Sequence, residues 1–122
     1  MKSIRFAYAV FTILVLSVII NSFAVGRTIS IISDELSTVS DSDIQAAKSE
    51  YAAIYEKYQR YELYISLSVD HDDLSNVEDA FAEIIGAATA GDRDGVITTK
   101  SRLTDYLRHI KRLSGINIDS IF

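Results

Sequence analysis

The densest grouping of side chains able to do chemistry in this 122-residue chain is Asp70-His71-Asp72-Asp73. Carboxylate oxygens and an imidazole nitrogen are ligands for zinc or manganese, which makes Asp70, His71, Asp72 and Asp73 a candidate metal set. The same residues also suit the start of a helix, where acids complement the positive end of the dipole. A His-Asp pair without further histidines falls short of what a metal hydrolase needs. The other histidine, His109, lies four residues after Asp105, and a surface hydrogen bond between the two is expected on a helix. Asp92-Arg93-Asp94-Gly95 begins like a calcium loop but lacks the next acidic position that such a loop requires.

Other chemistries are excluded more directly. There is no cysteine, hence no thiol nucleophile, disulfide or lipid-modified cysteine. No Gly-x-Ser-x-Gly, Walker or Gly-x-Gly-x-x-Gly motif occurs, so the usual nucleophile and phosphate-binding turns are absent. Glu78, Asp79 and Glu83 fall on a solvated helix face, which gives paired-carboxylate catalysis no support. The expectation is a protein that is not an enzyme and holds no cofactor. Net charge −5, from 17 acids against 12 bases, argues against a nucleic-acid partner.

Five tyrosines form a second candidate: Tyr51, Tyr55, Tyr58, Tyr61 and Tyr64. Their steps of four, three, three and three spread them over more than one helix face. Tyrosine pairs a large apolar ring with a hydroxyl, which suits an interaction surface; it equally suits the core of a small bundle.

The elements that carry these residues follow from hydrophobic patterning. After Lys2 and Arg5, residues 6–25 carry no charge. A helix of about 20 residues spans the ~30 Å hydrocarbon core of a bilayer. The positive flank predicts a cytoplasmic N-terminus (residues 1–5), a transmembrane anchor at 6–26 and an extracytoplasmic remainder. The alternative is a signal peptide cleaved after Ala24, since Ser22-Phe23-Ala24 offers small residues at the required places. The long apolar core, and the helical pattern running on through Ile29, Ile31, Ile32 and Leu36, favour the anchor. Residues 34–122 hold all 17 acids but nine bases, an acidic balance that disfavours an anionic lipid surface.

Beyond the anchor, residues 27–42 read as a juxtamembrane helical stalk. Residues 43–122 read as an antiparallel three-helix, up-down-up bundle with a C-terminal tail, so the fold class is all-α. The absence of proline favours long helices. The first bundle helix is predicted from about Asp43 to Val69, with Ser42 and Gln45 as a capping box. Its apolar stripe is Ala47, Tyr51, Ile54, Tyr58, Tyr61, Ile65 and Val69, at helical spacing. The second is capped by Ser75 and Glu78, buries Leu74, Val77, Phe81, Ile84, Ile85 and Ala88, and ends at Gly91, a natural left-handed cap. The third starts near Asp92, buries Val96, Ile97, Leu103, Tyr106, Leu107, Ile110 and Leu113, and stops at Gly115. The tail from Ile116 to Phe122 is expected to fold back. Short connections make the neighbours antiparallel. Residues 70–94 carry eight acids and one base, residues 100–112 five bases and one acid, so the last two helices should pair by charge.

The basic start with its single span, the run Tyr-Ile-Ser-Leu-Ser-Val-Asp-His-Asp-Asp-Leu at 64–74, Leu107-Arg108-His109-Ile110, and the ending Asn117-Ile118-Asp119-Ser120-Ile121-Phe122 together resemble the domain-of-unknown-function 4363 family of Gram-positive bacteria. The resemblance implies an anchored, extracytoplasmic helical domain with no assigned catalytic residues. It also implies an accessory role beside a small multi-span membrane protein. The partners expected are therefore the membrane, such a multi-span protein, or a second copy of the chain.

Overall fold

The computed structural model describes residues 2–67 and 69–121, with side chains up to residue 113. The chain is all-α: α1 runs Lys2–Thr38, α2 Ile44–Ser66, α3 His71–Thr89 and α4 Arg93–Ile121. No strand occurs among the described residues.

α1 passes through two environments without a break. Nearly every side chain before residue 21 is exposed, whereas Ser22, Val25, Ile29, Ile32 and Leu36 are buried. Those five recur at steps of three and four, one face of a helix. The four apolar ones join the same core as Tyr51, Phe81 and Leu107. Residues 27–38 therefore form a wall of the bundle rather than a free stalk, and the bundle has four helices rather than three. The spacing that looked like a span running on is the spacing of a packed face.

Cross-helix contacts set the register. Lys57 of α2 pairs with Glu35 of α1, and Tyr51 Oη donates to Asp41 Oδ1 at 2.6 Å. Tyr55 and Tyr58 stack on Phe81 of α3, with ring centroids 4.9 and 5.6 Å apart. Arg102 of α4 meets Glu83 of α3 at 2.5 Å, and His109 meets Asp73 at 3.5 Å. Lys100 of α4 returns to α1's end, where Nζ donates to the Val39 carbonyl at 2.8 Å. For α1–α2 and α3–α4, rising numbers on one helix match falling numbers on the other, and the short turn between α2 and α3 reverses the chain, so neighbours run antiparallel. The α1–α2 and α3–α4 turns share one end of the bundle, here called the far end. The α2–α3 turn lies at the other, beside the point where α1 leaves its buried environment.

Several local expectations shift. Asp43, not Ser42, caps α2, accepting from the Gln45 and Ala46 amides at 3.1 and 3.3 Å; a carboxylate there also gains from the helix dipole. Ser42 turns instead to the Ser40 hydroxyl at 2.8 Å. α3 starts at His71, ahead of Ser75, with Asp72 and Asp73 in its first turn and no side-chain bond from Asp70. It ends with Gly91 at φ 72°. There the Gly91 and Asp92 amides reach the Ala88 and Ala87 carbonyls at 3.2 and 2.9 Å, the paired closure of a Schellman turn. α4 continues through Gly115 to Ile121 instead of folding back; a single interior glycine costs a helix only about 1 kcal/mol. Phe122 lies outside the described residues.

The buried stripes follow the expected faces with one loss and one exchange, and with Ile85, Tyr106 and Leu113 only half-buried. Tyr61 and Ile97 are exposed, and Thr99 is buried in the stripe of α4. Each large side chain fully withdrawn from water here contributes roughly 1.5–3 kcal/mol.

Candidate functional site

The acidic turn does not gather its described side chains into one group. Successive residues at a helix start point about 100° apart, and His71 and Asp72 project into solvent. Asp73 is half-buried and turns the other way, to His109 Nε2 of α4. Among the described residues, no group of three or more His, Cys, Asp or Glu side chains could hold a metal ion. As placed here, Asp70, His71, Asp72 and Asp73 form a helix start with one cross-helix contact. The expected Asp105–His109 bond is also replaced, because Asp105 meets Arg108 at 3.5 Å. An open cleft of about 440 Å³ lies over this region, lined by Leu67, Val69, Asp70, Asp73, His109 and Leu113 among others.

The tyrosine row divides. Tyr51 and Tyr58 are wholly buried, and Tyr55 is packed against the core through its stack on Phe81. Tyr61 and Tyr64 remain exposed. The row therefore follows the core for its first three members and turns away from it at the end of α2, where steps of three drift off a face that repeats every 3.6 residues.

The two buried hydroxyls have opposite surroundings. Tyr51 donates to Asp41, whose other oxygen lies 3.5 Å from Lys100 Nζ. The ammonium also sits 5.8 Å from the Tyr51 ring centroid, within reach of a cation–π attraction. Burial, and then the bond to Asp41, raise the Tyr51 phenol above its ordinary pKa. Tyr58 is raised as well, by burial first and the Glu62 charge second, yet its hydroxyl has no hydrogen-bond partner. The Lys100–Asp41–Tyr51 group was not legible in the sequence, because its members lie 10 and 59 residues apart and meet only through the antiparallel register.

A smaller hollow of about 130 Å³ separates α1 from α4, lined by Ile29, Ser30, Ser33, Asp34, Arg108 and Lys111. On the other flank of α4, the Arg102–Glu83 contact joins its basic stretch to acidic α3, and Glu83 holds the Arg102 guanidinium above its ordinary pKa.

Fold and site together define an all-helical protein whose N-terminal helix is long and apolar enough to cross a membrane. No family model, curated protein or solved structure matches the chain. The resemblance to the domain-of-unknown-function 4363 family therefore rests on the segments quoted for it.

Proposed function

We propose that this chain is a single-span membrane protein, with a cytoplasmic N-terminus and a helical bundle outside the membrane. It acts as a non-enzymatic accessory module for a membrane partner, either a multi-span protein or a second copy. The supporting observation is the division of α1, which is apolar and almost wholly uncovered before residue 21 and then buries one face in the bundle from Ser22 onward. A bilayer is the solvent that such an uncovered apolar helix requires. The basic residues Lys2 and Arg5 ahead of the span, and the acids beyond it, set the direction of insertion. Partner contact is assigned to the uncovered surface of the span, since three of the five tyrosines are committed to the core.

The test is photo-crosslinking in native membranes from a reactive residue placed at Phe11, with one at Ile97 as control. A protein adduct from Phe11, absent from Ile97, supports the accessory reading. Recovery of uncrosslinked chain alone from Phe11 would sink it.

A further inference from the structure

We infer that the end of α2 is a lipid-docking tip, which rests in the headgroup region of the same leaflet through which α1 leaves the membrane. The inference builds on the anchor reading above and adds a second membrane contact to it. Outside α1, the exposed large apolar side chains among the described residues are Tyr61, Leu63, Tyr64, Leu67 and Ile97. Four of these five crowd into the last two turns of α2 and its cap, so exposure is concentrated at one end rather than scattered. Leu63 is 71% exposed, Tyr64 58% and Leu67 72%. Leu63 and Leu67 are one turn apart and point away from the face that buries Tyr58 and Ile65.

Register places this tip at the membrane. Glu35 is level with Lys57, and Asp41 with Tyr51, so each step forward on α2 is one step back on α1. Continued, that register sets Leu63–Leu67 level with residues 25–29, within about one helical turn of Arg27, where the uncharged run ends. Leucine and tyrosine at that depth match the interfacial preference of amphipathic side chains, the ring in the acyl boundary and the hydroxyl in the headgroups.

The polar groups at this end carry both signs. Arg27, Arg108, Lys111 and Arg112 are exposed on α1 and α4, while Asp70 and Asp72 are exposed on the other side beside half-buried Asp73. Such a mixture meets the phosphate and ammonium of zwitterionic headgroups, whereas a strongly anionic surface would repel the acids. Among the described residues nothing comparable exists at the far end, where Ile97 stands as a single exposed large apolar residue. A lone residue of that kind is normal on a soluble surface, whereas a patch marks a contact.

The chain contains no tryptophan, so single-tryptophan variants report depth cleanly. The full-length protein is reconstituted in phosphatidylcholine vesicles with and without brominated acyl chains, as Phe11→Trp (span), Leu67→Trp (tip) and Ile97→Trp (far end). Docking predicts that Leu67→Trp is blue-shifted relative to Ile97→Trp and loses emission to bromine, while Ile97→Trp loses none. A Leu67→Trp spectrum as red and as unquenched as that of Ile97→Trp overturns the inference and leaves the anchor intact, provided Phe11→Trp is quenched. A blue-shifted but unquenched Leu67→Trp also overturns it, since protein rather than lipid would then cover the tip. An unquenched Phe11→Trp removes the anchor itself, and the docking with it.

Discussion

The two ends of the bundle close in different ways. At the far end, polar groups from α2, α4 and the α1–α2 turn complete one another: Lys100 holds the Val39 carbonyl and Asp41, Tyr51 binds Asp41, and Arg93 reaches the Ser42 carbonyl at 3.2 Å. Asp43 caps α2, Asp92 accepts from the Gly95 amide at 3.0 Å, and Gly91 closes α3. At the end where α1 leaves the bundle, Asp70 makes no cap bond, and the α3–α4 ion pair there among the described residues is a 3.5 Å contact to a histidine. There the apolar side chains face outward. A terminus standing in water must satisfy its own backbone and charges. An end that leaves leucines uncovered and a helix start without a side-chain cap has the composition of one completed by its surroundings.

That contrast can be broken at the far end first. Lys100→Met removes the donor shared by Val39 and Asp41, both of which are then left poorly solvated. The expected loss is about 2–3 kcal/mol, read as a lower urea midpoint by circular dichroism of the full chain in detergent. Gly91→Ala comes next, at about 1–2 kcal/mol, because a side chain is strained at that positive φ. No neighbouring atom crowds a Cβ there, so any loss in the same unfolding assay reports backbone conformation alone.

A pair of tyrosine variants sharpens the comparison. Tyr51→Phe strips Asp41 of a buried donor and should cost about 1–1.5 kcal/mol. Tyr58→Phe removes a hydroxyl that has no partner, and its midpoint should stay level or rise by up to about 1 kcal/mol. Both phenols have pKa values raised by burial, so the folded state holds those protons more tightly than the unfolded chain. Their contribution is present in full below pH 10 and is lost as pH climbs from there, the unfolded chain ionising first. Alkaline unfolding of Tyr51→Phe should begin from a lower starting stability but fall less steeply with pH than that of the parent. The smallest effect belongs to the span end: Asp73→Asn breaks the contact with His109 and should shift the midpoint by under about 0.5 kcal/mol at neutral pH. A larger loss there would show that this end is held by its own ion pair after all.

Helix existence and the inward faces were legible because apolar residues at steps of three and four leave little choice of face. Ala47, Tyr51, Ile54, Tyr58 and Ile65 are buried as their spacing requires. Where two residues fit the stripe nearly equally, local composition misleads. Ile97 is more apolar than Thr99, yet the angle set by Val96 and Leu103 puts the threonine inside. The larger miss concerns Val25, Ile29, Ile32 and Leu36. An apolar face leaving a membrane and an apolar face packed on neighbours produce the same pattern, and only the partner helices distinguish them. Histidine chemistry failed for a related reason. Asp105 is His109's neighbour along the helix, but Asp73 is its neighbour across the register, and register is not written in local spacing. Caps moved by one to five residues because several serines and aspartates near each helix start are competent to fill the role.

α1 is a single helix from Lys2 to Thr38, about 55 Å long at 1.5 Å per residue, with no proline to bend it. Its halves are consequently one lever with its fulcrum at Arg27. In a bilayer, a thinner or thicker hydrocarbon layer is met by tilting such a helix, and the bundle built on its second half must lean by the same angle. On the proposed membrane reading, the leaning would lift or press the end of α2 against the leaflet, and membrane thickness would become a mechanical input to the orientation of the bundle.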